Sequence, residues 1–242
     1  MMVLFWDIDG TLLTTAKAGA FAWDDSVREV TGCDYDLKSV QIAGLTDYQI
    51  AVNTFKNLGI NPTPDLVERL VHRYEELLPS SLPRRKGRVL DNVREVLEYL
   101  RLERQDIRSY LLTGNTRVGA RAKLVYYDLV DYFPEGAFCE DVSDRATIAK
   151  RAVQLARSKG EVAKESMFVI GDTPHDIKCA RAISARTIAV ATGGYSVDEL
   201  SSYKPWHVCA RLPSPKTFVQ LLDSSKDTQL PIPSEVVPPH SQ

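Results

Sequence analysis

Val3-Leu4-Phe5-Trp6 carries no polar side chain, and Asp7-Ile8-Asp9-Gly10-Thr11 follows at once. A strand with one wet face alternates apolar and polar residues, so an unbroken apolar run of this length reads as a strand buried on both faces. Strand side chains repeat every second residue, which puts Asp7 and Asp9 on one face if the strand continues. Gly10 lets the chain turn sharply away. The expectation is a carboxylate pair at the C-terminal end of a parallel strand, where open α/β sheets place their sites.

Two further apolar runs end in polar residues. Ser109-Tyr110-Leu111-Leu112 leads into Thr113-Gly114-Asn115, and Ser166 to Ile170 leads into Gly171-Asp172-Thr173-Pro174-His175-Asp176. The first of these is expected to end as a strand at Thr113. Helical patterns lie between the runs: 91–104, 117–127, 145–159 and 176–183, with a short strand at 136–139, another at 187–191 and a last helix at 215–222. Strands alternating with helices imply parallel strands joined by right-handed crossovers.

The segment 15–84 departs from that alternation. It holds three helical patterns, 19–31, 46–58 and 63–78, and no strand. In the third, Leu66, Leu70, Tyr74 and Leu77 or Leu78 form one stripe. Thr46 and Thr63 are expected N-caps, with Asp47 and Asp65 in the first turns. Pro79, Pro83 and the run Arg84-Arg85-Lys86 are expected to close the block. The division that follows is 1–14 core, 15–84 helical insertion, 85–223 core and 224–242 a polar, proline-rich tail.

With these motifs in place, the chain resembles the haloacid dehalogenase superfamily of aspartate-nucleophile phosphohydrolases, in the manner of phosphoglycolate phosphatases with an inserted helical cap. The resemblance covers Val3 to about Leu222. Its first motif is Asp7-Ile8-Asp9-Gly10-Thr11, its second is Thr113, and its fourth is Gly171-Asp172-Thr173 with Asp176. Arg145 and Lys150 are the two candidates for the basic third motif, and Arg145 lies nearer the helix start. The resemblance implies a Rossmann-like parallel sheet with a small all-helical cap inserted after the first strand.

It also implies roles. Asp7 attacks phosphorus and Asp9 exchanges the proton. Thr113, with the backbone of Gly114 and Asn115 and with Arg145, holds the phosphate. Mg²⁺ binds to Asp7, the backbone carbonyl of Asp9, and Asp172. Asp176 supports that site beside the metal, and His175 between them is expected to be a packing or surface residue. In the cap, the turn Ala43-Gly44-Leu45-Thr46-Asp47 is the candidate substrate loop.

Composition limits the partners. Of 242 residues, 44% are hydrophobic and 26% charged, with a net charge of -2. That is an ordinary globular balance, and it argues against nucleic acid or an anionic membrane as partner. Four scattered cysteines form no metal-binding spacing and are expected to be reduced. No apolar stretch reaches the ~20 residues of a membrane helix, and Met1 to Trp6 is too short for a signal peptide. A cytoplasmic monomer or dimer acting on a small phosphate ester is the expectation. Two other readings stay open. One is a sugar-phosphate mutase of the β-phosphoglucomutase type, using the same aspartates. The other is a non-catalytic binding protein on the same scaffold. The substrate itself is not named by the sequence.

Overall fold

The computed structural model describes residues 1–40, 42–141, 144–163 and 166–225. The expected tail lies outside the described residues from position 226 on. Six strands form one sheet: β1 (Met2–Trp6), β4 (Ile107–Thr116), β5 (Gly136–Cys139), β6 (Met167–Gly171), β7 (Arg186–Val190) and β8 (His207–Cys209). Their order is β5-β4-β1-β6-β7-β8, and every neighbouring pair is parallel. The chain is therefore an α/β protein built on a parallel sheet. β1 is central, with β4 on one side and β6 on the other, so the strand order reverses beside its C-terminal end. A crevice forms at such a point.

The unalternating first run is explained by its two covered faces. Met2, Leu4 and Trp6 pack on one side with Val93, Val96 and Leu97 of α4 (Val93–Glu103), Leu124 of α5 (Arg117–Tyr126), and Phe218 and Leu222 of α8 (Pro215–Ser224). Val3 and Phe5 pack on the other with Ile148, Ala149 and Ala152 of α6 (Arg145–Ser158) and Cys179 and Ala180 of α7 (Pro174–Ala182). Trp6 is fully buried, and its indole N–H donates to Ser109 Oγ at 3.1 Å. A buried indole is tolerable because that one donor is satisfied.

Two short strands, β2 (Leu13–Thr14) and β3 (Arg88–Val89), pair antiparallel as a neck. Between them run α1 (Ala18–Thr31), α2 (Asp47–Asn57) and α3 (Pro64–Ser81), with no strand among the described residues of that segment. Thr46 forms a reciprocal capping box with Gln49, and Thr63 caps α3 with Pro64 in the first turn. Trp23 of α1 packs on Tyr74 of α3 with ring centroids 5.0 Å apart, and donates to Thr54 Oγ1 of α2.

Two boundaries differ from expectation. Pro79 lies inside α3, which runs on to Ser81. Only two helical residues follow it, so the proline costs one late hydrogen bond rather than a ladder. β4 does not stop at Thr113 but reaches Thr116, where it pairs with Cys139 after a register shift. The irregularity lies between Leu112 and Thr116, where Thr113, Gly114 and Asn115 fall, and a bulge of this kind re-aims side chains next to a site. No described helix is long and apolar enough to cross a membrane.

Candidate active site

The ends of β1 and β6 bring Asp7 and Asp172 to one crevice, and Thr113 of β4 is joined to it through Asn115. Asp7 follows β1 directly, and its backbone N–H donates to Ile170 O of β6 at 3.0 Å. After it the chain doubles back: the Ile8 carbonyl accepts from Leu12 and Leu13, and Gly10 takes φ +81°. A Cβ on Gly10 would stand 2.3 Å from Asp172 Oδ2, so only glycine lets the two loops close on each other. Thr11 Oγ1 donates to Asp172 Oδ1 at 3.2 Å.

Arg145, the first residue of α6, reaches into this crevice. Its Nη2 lies 3.3 Å from Asp7 Oδ2 and 2.5 Å from Asp176 Oδ1. Asp144 caps the helix through the Thr147 N–H, which turns the first residue of α6 toward the strand ends. Lys150 is exposed. Five residues of helix rotate a side chain roughly 140° away from Arg145, so the two cannot share a target. Of the two basic candidates, the structure brings Arg145 alone to the carboxylates.

Burial sets the electrostatics. Asp7 is 4% exposed and its carboxyl is pushed up to about 6, because burial outweighs the attraction of Arg145. Asp172 is raised well above the usual carboxylate range by burial, and then by Asp176 and Asp7. Arg145 stays charged: burial works against it, and Asp176 and Asp7 outweigh burial. Asp7, Asp172 and Asp176 bring carboxylate oxygens within 4.8 Å of one another. Asp176 is the most committed of the three, since its oxygens accept from Arg145, the Thr173 N–H and the Thr173 hydroxyl. A donor set made only of oxygens, with more negative charge than Arg145 balances, fits a hard divalent cation.

Asp9 occupies a different setting. Its side chain is 44% exposed. Its Oδ2 accepts from Lys123 Nζ at 2.6 Å and from Asn115 Nδ2 at 2.9 Å. Lys123 Nζ also donates to Asn115 Oδ1 at 2.5 Å. Asn115 Nδ2 and the Asn115 N–H both point to Thr113 Oγ1, at 2.8 and 3.3 Å. The Asn115 side chain thus serves Asp9 and Thr113, and its backbone N–H, expected at phosphate, points to Thr113 Oγ1. Thr113 is fully buried, and its hydroxyl oxygen accepts both Asn115 bonds.

The helical segment and the crevice together line a half-open cavity of about 560 Å³. Asp7, Asp9, Arg145 and Asp172 line one end, with Trp23, Leu37, Ile42, Leu45 and Ile50 along the helical side. The 44–47 turn lies directly over the strand ends. Gly44, at φ +79°, rests on the His175 ring, which is half-buried and held neutral to lower pH chiefly by burial. The Leu45 carbonyl oxygen lies 2.7 Å from where a Cβ on Gly114 would stand. Thr46 is fully buried, and Asp47 Oδ2 accepts the Thr116 N–H at 2.8 Å. Asp47 therefore fills the N-terminus of α5.

Lys123 was missed from the sequence. Its signal was present: Ala120, Lys123, Leu124 and Tyr127 share one helical face, and all four are buried. A lysine inside such a stripe is out of place unless it meets a buried partner.

A sequence model of the family described as haloacid dehalogenase-like hydrolase matches residues 3–190. A curated relative from Caldanaerobacter subterraneus subsp. tengcongensis, PpaX, named as a pyrophosphatase, is 27% identical over 124 residues. The match spans 50% of this chain and 54% of that protein, so the chain covers about half the length of this relative. Among solved structures, a haloacid dehalogenase hydrolase of family IA, variant 3, from Entamoeba histolytica HM-1:IMSS superposes with a TM-score of 0.72 at 18% identity, covering 92% of this chain and 100% of that one. A structure from Haemophilus somnus 129pt, named as a phosphoglycolate phosphatase, gives 0.69 at 17% identity, covering 93% and 98%. At these identities the structures show a shared fold.

Proposed function

The chain belongs to the haloacid dehalogenase-like hydrolases, and on that premise we propose that it hydrolyses a small phosphomonoester through a phosphoryl group carried on Asp7. The observation that carries the reading is the convergence of Asp7, Arg145 and Asp172 on one crevice, with Asp9 two residues from the proposed nucleophile. The names of PpaX, a pyrophosphatase, and of the Haemophilus structure, a phosphoglycolate phosphatase, support transfer of a phosphoryl group to water.

In the first half-reaction an Asp7 oxygen attacks phosphorus, the bond to the leaving oxygen breaks, and the Asp9 carboxyl gives that oxygen its proton. In the second, Asp9 takes a proton from water as the water oxygen attacks phosphorus. The bond to Asp7 breaks and phosphate leaves. Splitting the displacement in two lets one carboxyl serve as acid and then as base. Thr113 donates to a phosphate oxygen. Arg145 holds Asp7 in place and offsets phosphate charge. The apolar helical wall receives the leaving group and keeps bulk water from the first step.

Asp7 and Asp172, with the Asp9 carbonyl, are the residues to hold Mg²⁺. When bound, that ion offsets the repulsion between the carboxylates and the phosphate dianion.

The test is phosphate release from a panel of small phosphate esters, including p-nitrophenyl phosphate. Turnover is expected with Mg²⁺, absent after EDTA treatment, and restored by added Mg²⁺. Full activity after rigorous chelation would remove the metal from the reading. An isomerisable sugar phosphate separates hydrolase from mutase: isomer formed without phosphate release would overturn the proposal.

A further inference from the structure

Lys123 is charged, buried and costly. Taking an ammonium out of water carries a penalty of several kcal/mol, and ion pairs of this kind are seldom more stable than a well-packed apolar side chain. Burial works against its charge; Asp9, with Tyr74 and Asp47 behind it, outweighs burial and keeps it protonated.

We propose that Lys123 is a positioning residue for Asp9: with Asn115 it locks one oxygen of the Asp9 carboxyl so that the other faces the leaving group. The inference rests on the reading of Asp9 as proton donor and acceptor. Three side chains make a closed triangle, Lys123 to Asp9, Lys123 to Asn115 and Asn115 to Asp9, at 2.6, 2.5 and 2.9 Å. Two donors converge on Oδ2, which leaves Oδ1 as the oxygen that exchanges the proton. Asn115 joins this triangle to Thr113, so the phosphate end and the acid–base end share one hydrogen-bonded frame.

The chemistry follows. When the Asp9 O–H bond breaks and its proton goes to the leaving oxygen, a carboxylate remains, and the ammonium beside it stabilises that anion. In the second half-reaction the same contact holds Oδ1 toward the incoming water. The helical segment helps to seat the lysine: Asp47 of α2 is anchored on Thr116, the N-cap of α5, two turns before Lys123, and Asp47 and Tyr74 add their field at its ammonium group.

A residue acting through proton transfer leaves a signature that packing does not. Leaving groups that depart as stable anions need little protonation, whereas alkoxides need it. The variants are Lys123→Met and Lys123→Arg, assayed with Mg²⁺ on p-nitrophenyl phosphate and on an alkyl phosphate that the wild type turns over. Lys123→Met is expected to lose about 10²-fold in kcat on the alkyl ester, within the range of acid–base effects, and less than roughly tenfold on the aryl ester. Vanadate affinity should hold within about threefold, and Lys123→Arg should recover part of the alkyl rate. Adding Lys123→Met to Asp9→Asn should cost little more on the alkyl ester than Asp9→Asn alone, since both act on one step. Aryl turnover itself reports that the variant is folded. Equal losses on both esters, or full additivity with Asp9→Asn, would make Lys123 structural and overturn the inference while leaving the hydrolase reading intact. A wild type that releases phosphate from neither ester overturns the premise and the inference together.

Discussion

Asp7 and Asp9 stand two residues apart in sequence but in two different regions of the molecule. Asp7 is walled in by the sheet and its two flanking helices: Arg145 from α6, Asp176 from α7 and Asp172 from the end of β6. All of these come from the parallel-sheet part of the chain. Asp9 opens onto the cavity and is held by Lys123, whose surroundings include Asp47 and Tyr74 from the helical segment. The difference teaches how work is divided. The region of Asp7, the proposed nucleophile, is organised by the sheet and its flanking helices, so phosphate binding and attack should be indifferent to the helical segment. The acid–base region is completed partly by that segment, so leaving-group chemistry should feel changes there.

The largest expected effect falls on the first region. Asp7→Asn should reduce turnover by roughly 10⁴-fold or more, as removal of a covalent nucleophile does. It should also raise the melting temperature of the metal-free protein at pH 7.5. The Asp7 carboxyl is raised from 3.8 to about 6 by burial. A group whose folded-state value is raised adds stability below its unfolded value and loses it as pH rises through the folded value. At pH 7.5 the ionised Asp7 is therefore a cost that asparagine removes. Thermal melts at pH 5 and 7.5 check this. A lower melting temperature at pH 7.5, or activity within tenfold of wild type, would mean that Asp7 is not a strained, buried nucleophile.

Next in size is Arg145→Met, which leaves Asp7, Asp172 and Asp176 without a cation. Breaking a buried pair from one side costs about 3–5 kcal/mol, and urea unfolding of the metal-free protein at pH 7.5 should show a loss of that order. The loss should shrink toward pH 5, as Asp7 and Asp172, both raised by burial, take up protons. Lys123→Met should cost less, because its partner Asp9 is half in solvent and solvent screens the pair. Equal destabilisation by the two variants would erase the contrast between the regions.

How much of this was legible in the sequence follows the same line. Asp7, Asp9, Thr113 and Asp172 each end or follow an apolar run, and a strand end is a local signal. Arg145 could be narrowed to a pair with Lys150, and helix phase decides between them only once the start of α6 is fixed by the Asp144 cap. Lys123 could not be placed, because its partner lies 114 residues away and only the fold brings α5 to the first loop. The apolar stripe it interrupts was the one available hint. β2 and β3, of two residues each, are too short to carry a periodic pattern. The end of β4 was misplaced because an irregular strand keeps no strict alternation.

The smallest effect tests the boundary between the two regions. Asp47 begins α2, and its carboxyl is pushed up to about 6, with burial the leading cause and Lys123 and the Thr116 N–H opposing. The sign is the same as for Asp7: the contribution is present below the ordinary value of 3.8 and fades as pH rises through about 6. Asp47→Asn keeps a side-chain oxygen for the Thr116 N–H and removes the charge. At pH 5 it should be close to wild type in stability. At pH 7.5 it should be more stable by about 1 kcal/mol, less than the shift alone implies, because Lys123 loses one of the carboxylates that keep it charged. Vanadate affinity should not move, since no part of the Asp7 region touches this carboxyl. If the variant is instead weaker at pH 7.5 than at pH 5, attraction between Lys123 and Asp47 outweighs burial. The helical segment would then be held down by charge, and the acid–base region would depend on it more strongly than the nucleophile's region does.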